Sequence, residues 1–390
     1  MWNARKRIIV LTGLLSVLNM SAQQRSPYIS KVYDFCPAPG QFVNVSPEYE
    51  SGDTREDILR KVEELLAGEE SSIISLGAWG GYVVFGFDHP VVNVSGKSDF
   101  KVLGNVFVNA MPGVISESSE PGIVMVSRDA NGNGLPDDPW YELAGSEHEK
   151  PATIRRYRIT YYKPDENKTP VPNPDYPELT DTTYIRWTDN QGKQGYVARN
   201  KFHSQPYYPQ WLESDSLIFE GVRLADNYRL DDGGNYLQFA YDYGYADNHP
   251  NTSALSEFNI EWAMDENGQP IHLPEIHFVK VYTGVNQYCG WLGEGSTEIG
   301  GAVDLHPEAV SSATADPLYT EQIRLMNNPV REALRIESSV CRTAYIYGLN
   351  GVRLMSFGLE EGMNTIACGQ LPDGFYILVA EDCTIKFRKQ

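Results

Sequence analysis

What most constrains the fold of this chain is a change of pattern at Ser72. From there onward, short runs of β-branched and aromatic residues alternate with glycine, proline and asparagine, which is the grammar of short antiparallel strands and turns. Runs at 73–76, 82–87, 100–108 and 123–127 read as strands, and the pattern resumes at 140–143, 155–162, 184–188, 216–222, 236–243, 257–264 and 277–283. The expected class is all-β: a large β-sandwich or jelly roll. One helix precedes the strands. Thr54 with Asp57 three residues on forms a capping box, Ile58, Leu59, Val62, Leu65 and Leu66 share one face, and Gly68 supplies the stop. Its outer face is charged, so it packs as a single helix on a sheet.

A calcium loop is expected between the strands at 123–127 and 140–143. Asp129, Asn131, Asn133 and Asp137 place oxygen-bearing side chains at alternate positions, Gly134 stands sixth, and the Leu135 carbonyl falls at position seven. An EF-hand has helices on both sides and a glutamate at position twelve, where this chain has Trp140; Asp138 or Glu142 is the expected replacement. A plain Asn-Gly turn accounts for the glycines and not for the alternating oxygens. The segment 265–268, by contrast, is short and contains Asn-Gly, so it reads as a hairpin turn.

The formal charge of −20, from 52 acidic against 32 basic residues, argues against a nucleic-acid partner. Residues 1–22 carry Arg5, Lys6 and Arg7, an apolar run at 8–18 and Ser21-Ala22, the layout of a secretory signal peptide. An 11-residue apolar run is short against the roughly 20 a spanning helix needs, and no transmembrane segment is expected later in the chain. Cys36 and Cys289 are candidates for a disulfide in an oxidising compartment, with two buried free thiols as the alternative.

Aromatic clusters at 206–211 and 241–245 offer Tyr207, Tyr208, Trp211, Tyr243 and Tyr245 as rings that could stack on a ligand; packing between the sheets is the competing use. Catalytic motifs are lacking: His148-Glu149 does not continue as a zinc-protease helix, and Ser296 is flanked at two residues by Glu294 and Glu298 where a nucleophile elbow has glycines. Residues 163–177 hold five prolines and read as an exposed excursion. Composition turns to Ala, Ser, Thr and Pro near residue 307, so the expected organisation is a main domain over 23–306, a linker over 307–319 and a small Ig-like β-sandwich over 320–390.

Two resemblances extend this reading. With Asn328-Pro329, Tyr347 to Gly351, Gly362 to Ile366, Leu371 to Tyr376 and a basic end, the C-terminal segment resembles the sorting domain of type IX secretion cargo in Bacteroidetes. That resemblance implies export past the inner and outer membranes, with the export machinery as a partner, and placement at the cell surface or outside. The body, through Asp34 to Asn44, Ser75 to Tyr82, Phe85 to His89, Glu120 to Ser146, Tyr245 to Asn251, and Phe278 to Tyr282 with Gly290 to Glu294, is similar to a family of Bacteroidetes cell-surface proteins, some linked to corrinoid capture. The expected function is calcium-stabilised, non-catalytic binding of an extracellular corrinoid or glycan. The alternatives are a secreted glycan hydrolase, which facing carboxylates in an aromatic-lined cleft would favour, and a structural surface protein.

Overall fold

The computed structural model describes residues 25–111, 114–310, 323–327, 330–339, 341–348, 352–380 and 383–389. The expected signal peptide, most of the linker, Asn328-Pro329 and Leu349 to Gly351 lie outside the described residues. The chain divides into two compact units, the first running through Ile271 and over Ile276–Glu308, the second taking His272–Glu275 and the chain from Ala309 on.

The first unit is an all-β sandwich. Its larger sheet orders the strands Lys31–Cys36, Tyr82–Gly86, Phe278–Thr283, Gly122–Ser127, Trp140–Leu143 and Ala263–Met264, each antiparallel to its neighbour. A second antiparallel sheet runs Gln194–Asn200, Leu179–Asp189, Ile154–Tyr162 and Ser216–Arg223. Inward-facing residues of both sheets meet in one core that is rich in tyrosine: Ile123 and Tyr282 from the first, Tyr157, Ile159, Tyr161, Ile185 and Phe219 from the second. Trp79 stands among them, its ring edge-to-face with Tyr157 at 4.7 Å. Burying so many phenols requires partners for their hydroxyls. Tyr161 donates to the Trp79 carbonyl (3.1 Å), Tyr157 to Asp189 (2.8 Å), and Tyr282 accepts from the Val222 N–H (2.9 Å).

Among the described residues there is one α-helix, Arg55–Leu66, and it forms as its sequence dictates. Thr54 and Asp57 make the reciprocal cap, Ile58, Val62 and Leu66 are buried, and Gly68 takes a left-handed φ of 86° just past the end. Arg55 and Glu63 tie it to the first strand through Asp34 Oδ1 (2.7 Å) and the Val32 N–H (2.9 Å). The expected strand at 257–264 is broken: a 3₁₀ turn at Ile260–Trp262 separates two short pieces, because the Asn259 side chain caps the turn and Asp99 takes the Ile260 N–H. Segment 265–268 is the expected turn, closed by Asp265 Oδ1 accepting from Asn267 and Gln269.

The second unit is a smaller two-sheet sandwich. One sheet holds Ile323–Leu325, Ala333–Ser338 and Gly362–Ala367; the other holds Arg353–Leu359, Arg342–Gly348, Gly374–Ala380 and Cys383–Lys389. Leu334, Ile336, Ile346, Leu378, Ile385 and Phe387 fill its core.

The sequence expectations need two corrections. Tyr207, Tyr208 and Tyr245 are fully buried and Trp211 nearly so. A ring with no exposed face cannot stack on an external ligand, so these four are core. Cys36 and Cys289 are free thiols and form no bridge; Cys36 packs against the tyrosine-rich core, while Cys289 sits in a cavity wall. Of the two expected replacements at position twelve, Asp138 is the one bonded within the loop, to the Ala130 N–H, while Glu142 Oε1 accepts from His148 Nδ1 at 2.9 Å.

Candidate functional site

The loop after Ser127 joins two paired strands, with Ser127 opposite Trp140 and Met125 opposite Glu142. Its polar side chains are hydrogen-bonded to one another and to the loop backbone. Asp129 accepts the N–H groups of Asn133 (3.1 Å) and Gly134 (2.9 Å), Asn131 Oδ1 accepts from Asn133, and Asn133 Oδ1 accepts from Leu135. The amides of Asn131 and Asn133 both donate to Asp137, at 3.0 and 2.9 Å, and these bonds hold its carboxyl below the usual range. Asp138 takes the Ala130 N–H across the base. Gly132 and Gly134 have φ near 71° and 72°, a conformation a side chain would strain. Asp129, Asn131, Asn133 and Asp137 are thus tied to one another by hydrogen bonds, and the loop keeps its form through them.

A different place collects the polar residues that sequence reasoning did not single out. A cavity of about 560 Å³ opens on the first unit, within the range of small-molecule sites. Its rim carries Phe42, Phe107 and Phe202, with Phe107 62% and Phe202 55% exposed; His203 packs edge-on against Phe42 at 4.6 Å. Deeper in, Gln41, Glu120, Asn200 and Glu294 present amides and carboxyls, and the exposed Asn105 adds another amide.

The wall is fixed by one residue. Gln41 donates its backbone N–H to Glu294 Oε1 (2.6 Å) and its side-chain amide to the Leu292 carbonyl (2.6 Å), and it accepts from Asn200 Nδ2 (2.8 Å). Gly40 permits this approach, since a Cβ there would meet Glu294 Oε1 at 2.7 Å and Gly77 Cα at 2.9 Å. Glu294 is 6% exposed, and its second oxygen, Oε2, has no hydrogen-bond partner among the described residues although it is buried.

Behind this wall Glu120 meets Asp247 and Glu298, each offering one oxygen within 4.8 Å of the others. Asp247 is held in a left-handed conformation, φ 50°, pressed against Gly104; its oxygens accept from the N–H groups of Asn105 (2.8 Å) and Glu298 (3.0 Å). Glu120 Oε1 takes the Ser296 N–H (3.0 Å), and Ser75 bridges Ser296 Oγ (2.8 Å) and Glu298 Oε1 (3.3 Å). Loss of hydration raises all four carboxyls, Glu294 to about 7; in Glu120 and Glu298 repulsion from neighbouring carboxylates adds to it. In Glu120 the burial effect comes first and the Asp247 charge second.

Of the rings expected to bind a ligand, only Tyr243 is exposed, and it leans on Trp262 at 5.2 Å, outside the cavity lining. The residues that do gather come from segments far apart: Gln41, Ser75, Glu120, Asp247 and Glu294 fall one each in five of the stretches that carry the family resemblance. The one local signal was the alternation of Glu294, Ser296 and Glu298, which in extended chain puts three polar side chains on one face.

Fold and site together define an all-β protein with an aromatic-rimmed, carboxyl-floored hollow. No protein-family model matches the chain, and no curated protein matches it either.

Proposed function

We propose that the protein binds a carbohydrate, or a similar polyhydroxylated molecule, in the cavity walled by Gln41, Glu120 and Glu294, without turning it over. The observation that carries this reading is the pairing of exposed phenyl rings at the rim with fixed amides and carboxyls below. Sugar rings present C–H faces that stack on aromatics and hydroxyl edges that hydrogen-bond to carboxyl and amide groups, so both halves of the site find a counterpart. A corrinoid, with its macrocycle, side chains and nucleotide loop, is larger than this hollow, which favours the glycan. The leader-like N-terminus and the sorting-type motifs near the C-terminus support a ligand met outside the cell, with the C-terminal sandwich addressing the export machinery.

Calorimetric titration of a glycan panel and of cobalamin into the full chain tests this. The expected result is binding to one sugar class, weakened at least tenfold by Phe202→Ala and by Glu294→Gln, on the scale of one lost aromatic or charged hydrogen-bond contact, about 1.5–3 kcal/mol. Wild-type affinity in both variants would move the site elsewhere, and tighter binding of cobalamin than of any sugar would change the ligand class.

A hydrolase is the second reading, favoured by Glu120 and Glu294 lining one cavity. Release of sugar product that is lost in Glu120→Gln would establish it.

We also propose that the loop from Asp129 to Asp138 holds Ca²⁺ as a structural clip. Few carboxylates contribute, so the affinity belongs in the weak extracellular range, Kd on the order of 10⁻⁴ to 10⁻³ M. Saturation at about 100 times Kd stabilises the unit by ~2.7 kcal/mol. Excess chelator is expected to lower its melting temperature by roughly 5–10 °C without unfolding it at room temperature. A melt unchanged by chelator would remove the ion from the loop.

A further inference from the structure

We infer that the Glu120–Asp247–Glu298 cluster is a second divalent-cation site, separate from the hairpin loop, taking a hard ion such as Ca²⁺ or Mg²⁺ from the cavity side. The donors are all oxygen: one carboxylate atom from each of three residues, within 4.8 Å of one another, with the Ser75 and Ser296 hydroxyls beside them. No thiol or imidazole belongs to the set, and oxygen-only sites select hard cations. Backbone N–H groups of Asn105 and Glu298 hold the Asp247 carboxylate, that of Ser296 holds Glu120 and the Ser75 hydroxyl holds Glu298, and each accepting oxygen keeps a lone pair for an ion.

Two observations point to a bound cation beyond the clustering itself. Buried carboxylates are normally paired with a cation or coordinated to a metal. Among the described residues, none of these three carboxyls, nor Glu294, forms an ion pair with a lysine or arginine. The second is Glu294, which is 6% exposed and leaves Oε2 without a partner in the cavity that Glu120 also lines. An ion seated on Glu120 supplies the charge that this oxygen lacks, directly or through a coordinated water, and the open side of the cavity is its route of entry.

The test is calorimetric titration of CaCl₂ and MgCl₂ into chelator-stripped full-length protein, with no sugar present, so that its outcome is independent of ligand binding. The loop is disabled by Asp129→Asn with Asp137→Asn, and Glu298→Gln is added to that background. The loop-disabled protein is expected to retain one equivalent of bound cation, and Glu298→Gln to weaken that binding at least tenfold. Should Glu298→Gln fold poorly, Glu120→Gln at the cavity wall replaces it with the same expectation. Absence of any bound cation in the loop-disabled protein, or an affinity untouched by the cluster substitution, overturns the proposal. So does a preference for Zn²⁺ over Ca²⁺, which would transfer the site to the Cys289 thiol in the same cavity.

Discussion

In chelator, the first unit is expected to lose stability as the pH rises from about 5 to 8, opposite in sign to the usual effect of paired carboxylates. The sign follows from the buried acids. Glu294 titrates near 7 when folded against about 4.5 when unfolded, so between those values the native state binds the proton and the unfolded state does not. Stability therefore falls across that window and levels off above it. A shift of ~2.5 units in one group corresponds to about 3 kcal/mol, and the raised carboxyls of Glu120, Asp247 and Glu298 act in the same direction. Below about pH 4 the opposite class takes over. Asp57, held low by the Thr54 hydroxyl, and Asp265, held low by the Gln269 N–H, lose their favourable bonds on protonation. A stability maximum near pH 5 is the net expectation. Urea unfolding in chelator at about pH 5 and pH 8 measures it, with Glu294→Gln flattening the slope by one proton. A flat or rising profile for the wild-type unit would mean that these carboxyls are ionised in the folded protein.

Tyr208→Ala is expected to cost about 3–5 kcal/mol, the range for removing a large buried aromatic side chain, and to lower the melting temperature by roughly 6–20 °C. The ring is fully buried in the tyrosine-rich core, and its hydroxyl donates to the Ser214 carbonyl at 2.8 Å, an acceptor left unpaired on truncation. Phe202→Ala, at the cavity rim, is expected to leave the melt within about 0.5 kcal/mol of wild type while weakening ligand binding. The two variants thus separate core from site. If Tyr208→Ala melted normally and lost the ligand, the aromatic cluster at 206–211 would be the binding surface after all.

The helix was legible because its signals are local: Thr54 with Asp57, an apolar face, and Gly68 at the stop. The strands of the small sandwich were legible for the same reason, as β-branched runs between turns. Gln194–Asn200 escaped notice because its sequence, Gln-Gly-Tyr-Val-Ala-Arg-Asn, has few β-branched residues; it earns its place by pairing with Leu179–Asp189. Tyr207 and Tyr208 misled because alternation along a strand buries only every second residue. They lie in irregular chain, where two neighbours can both point inward. The cavity had no sequence signature of its own, since Gln41, Glu120, Asp247 and Glu294 meet only through the sheet order. The loop proposed to hold an ion is a local pattern at Asp129 and can be read from the sequence; a site that depends on topology cannot.

The Gln41 contacts have a consequence for the order of events during biogenesis. They join residue 41 to residue 200 and to residues 292–294, separations of 159 to 253 positions. Contacts this distant close late, because the intervening chain must be ordered first. The hollow therefore has no partial form: a chain halted before Glu294 carries the helix, the loop and most strands of the first unit but lacks the partners that fix Gln41. The binding proposed for this cavity therefore requires the complete main unit, from Gln41 through Glu294.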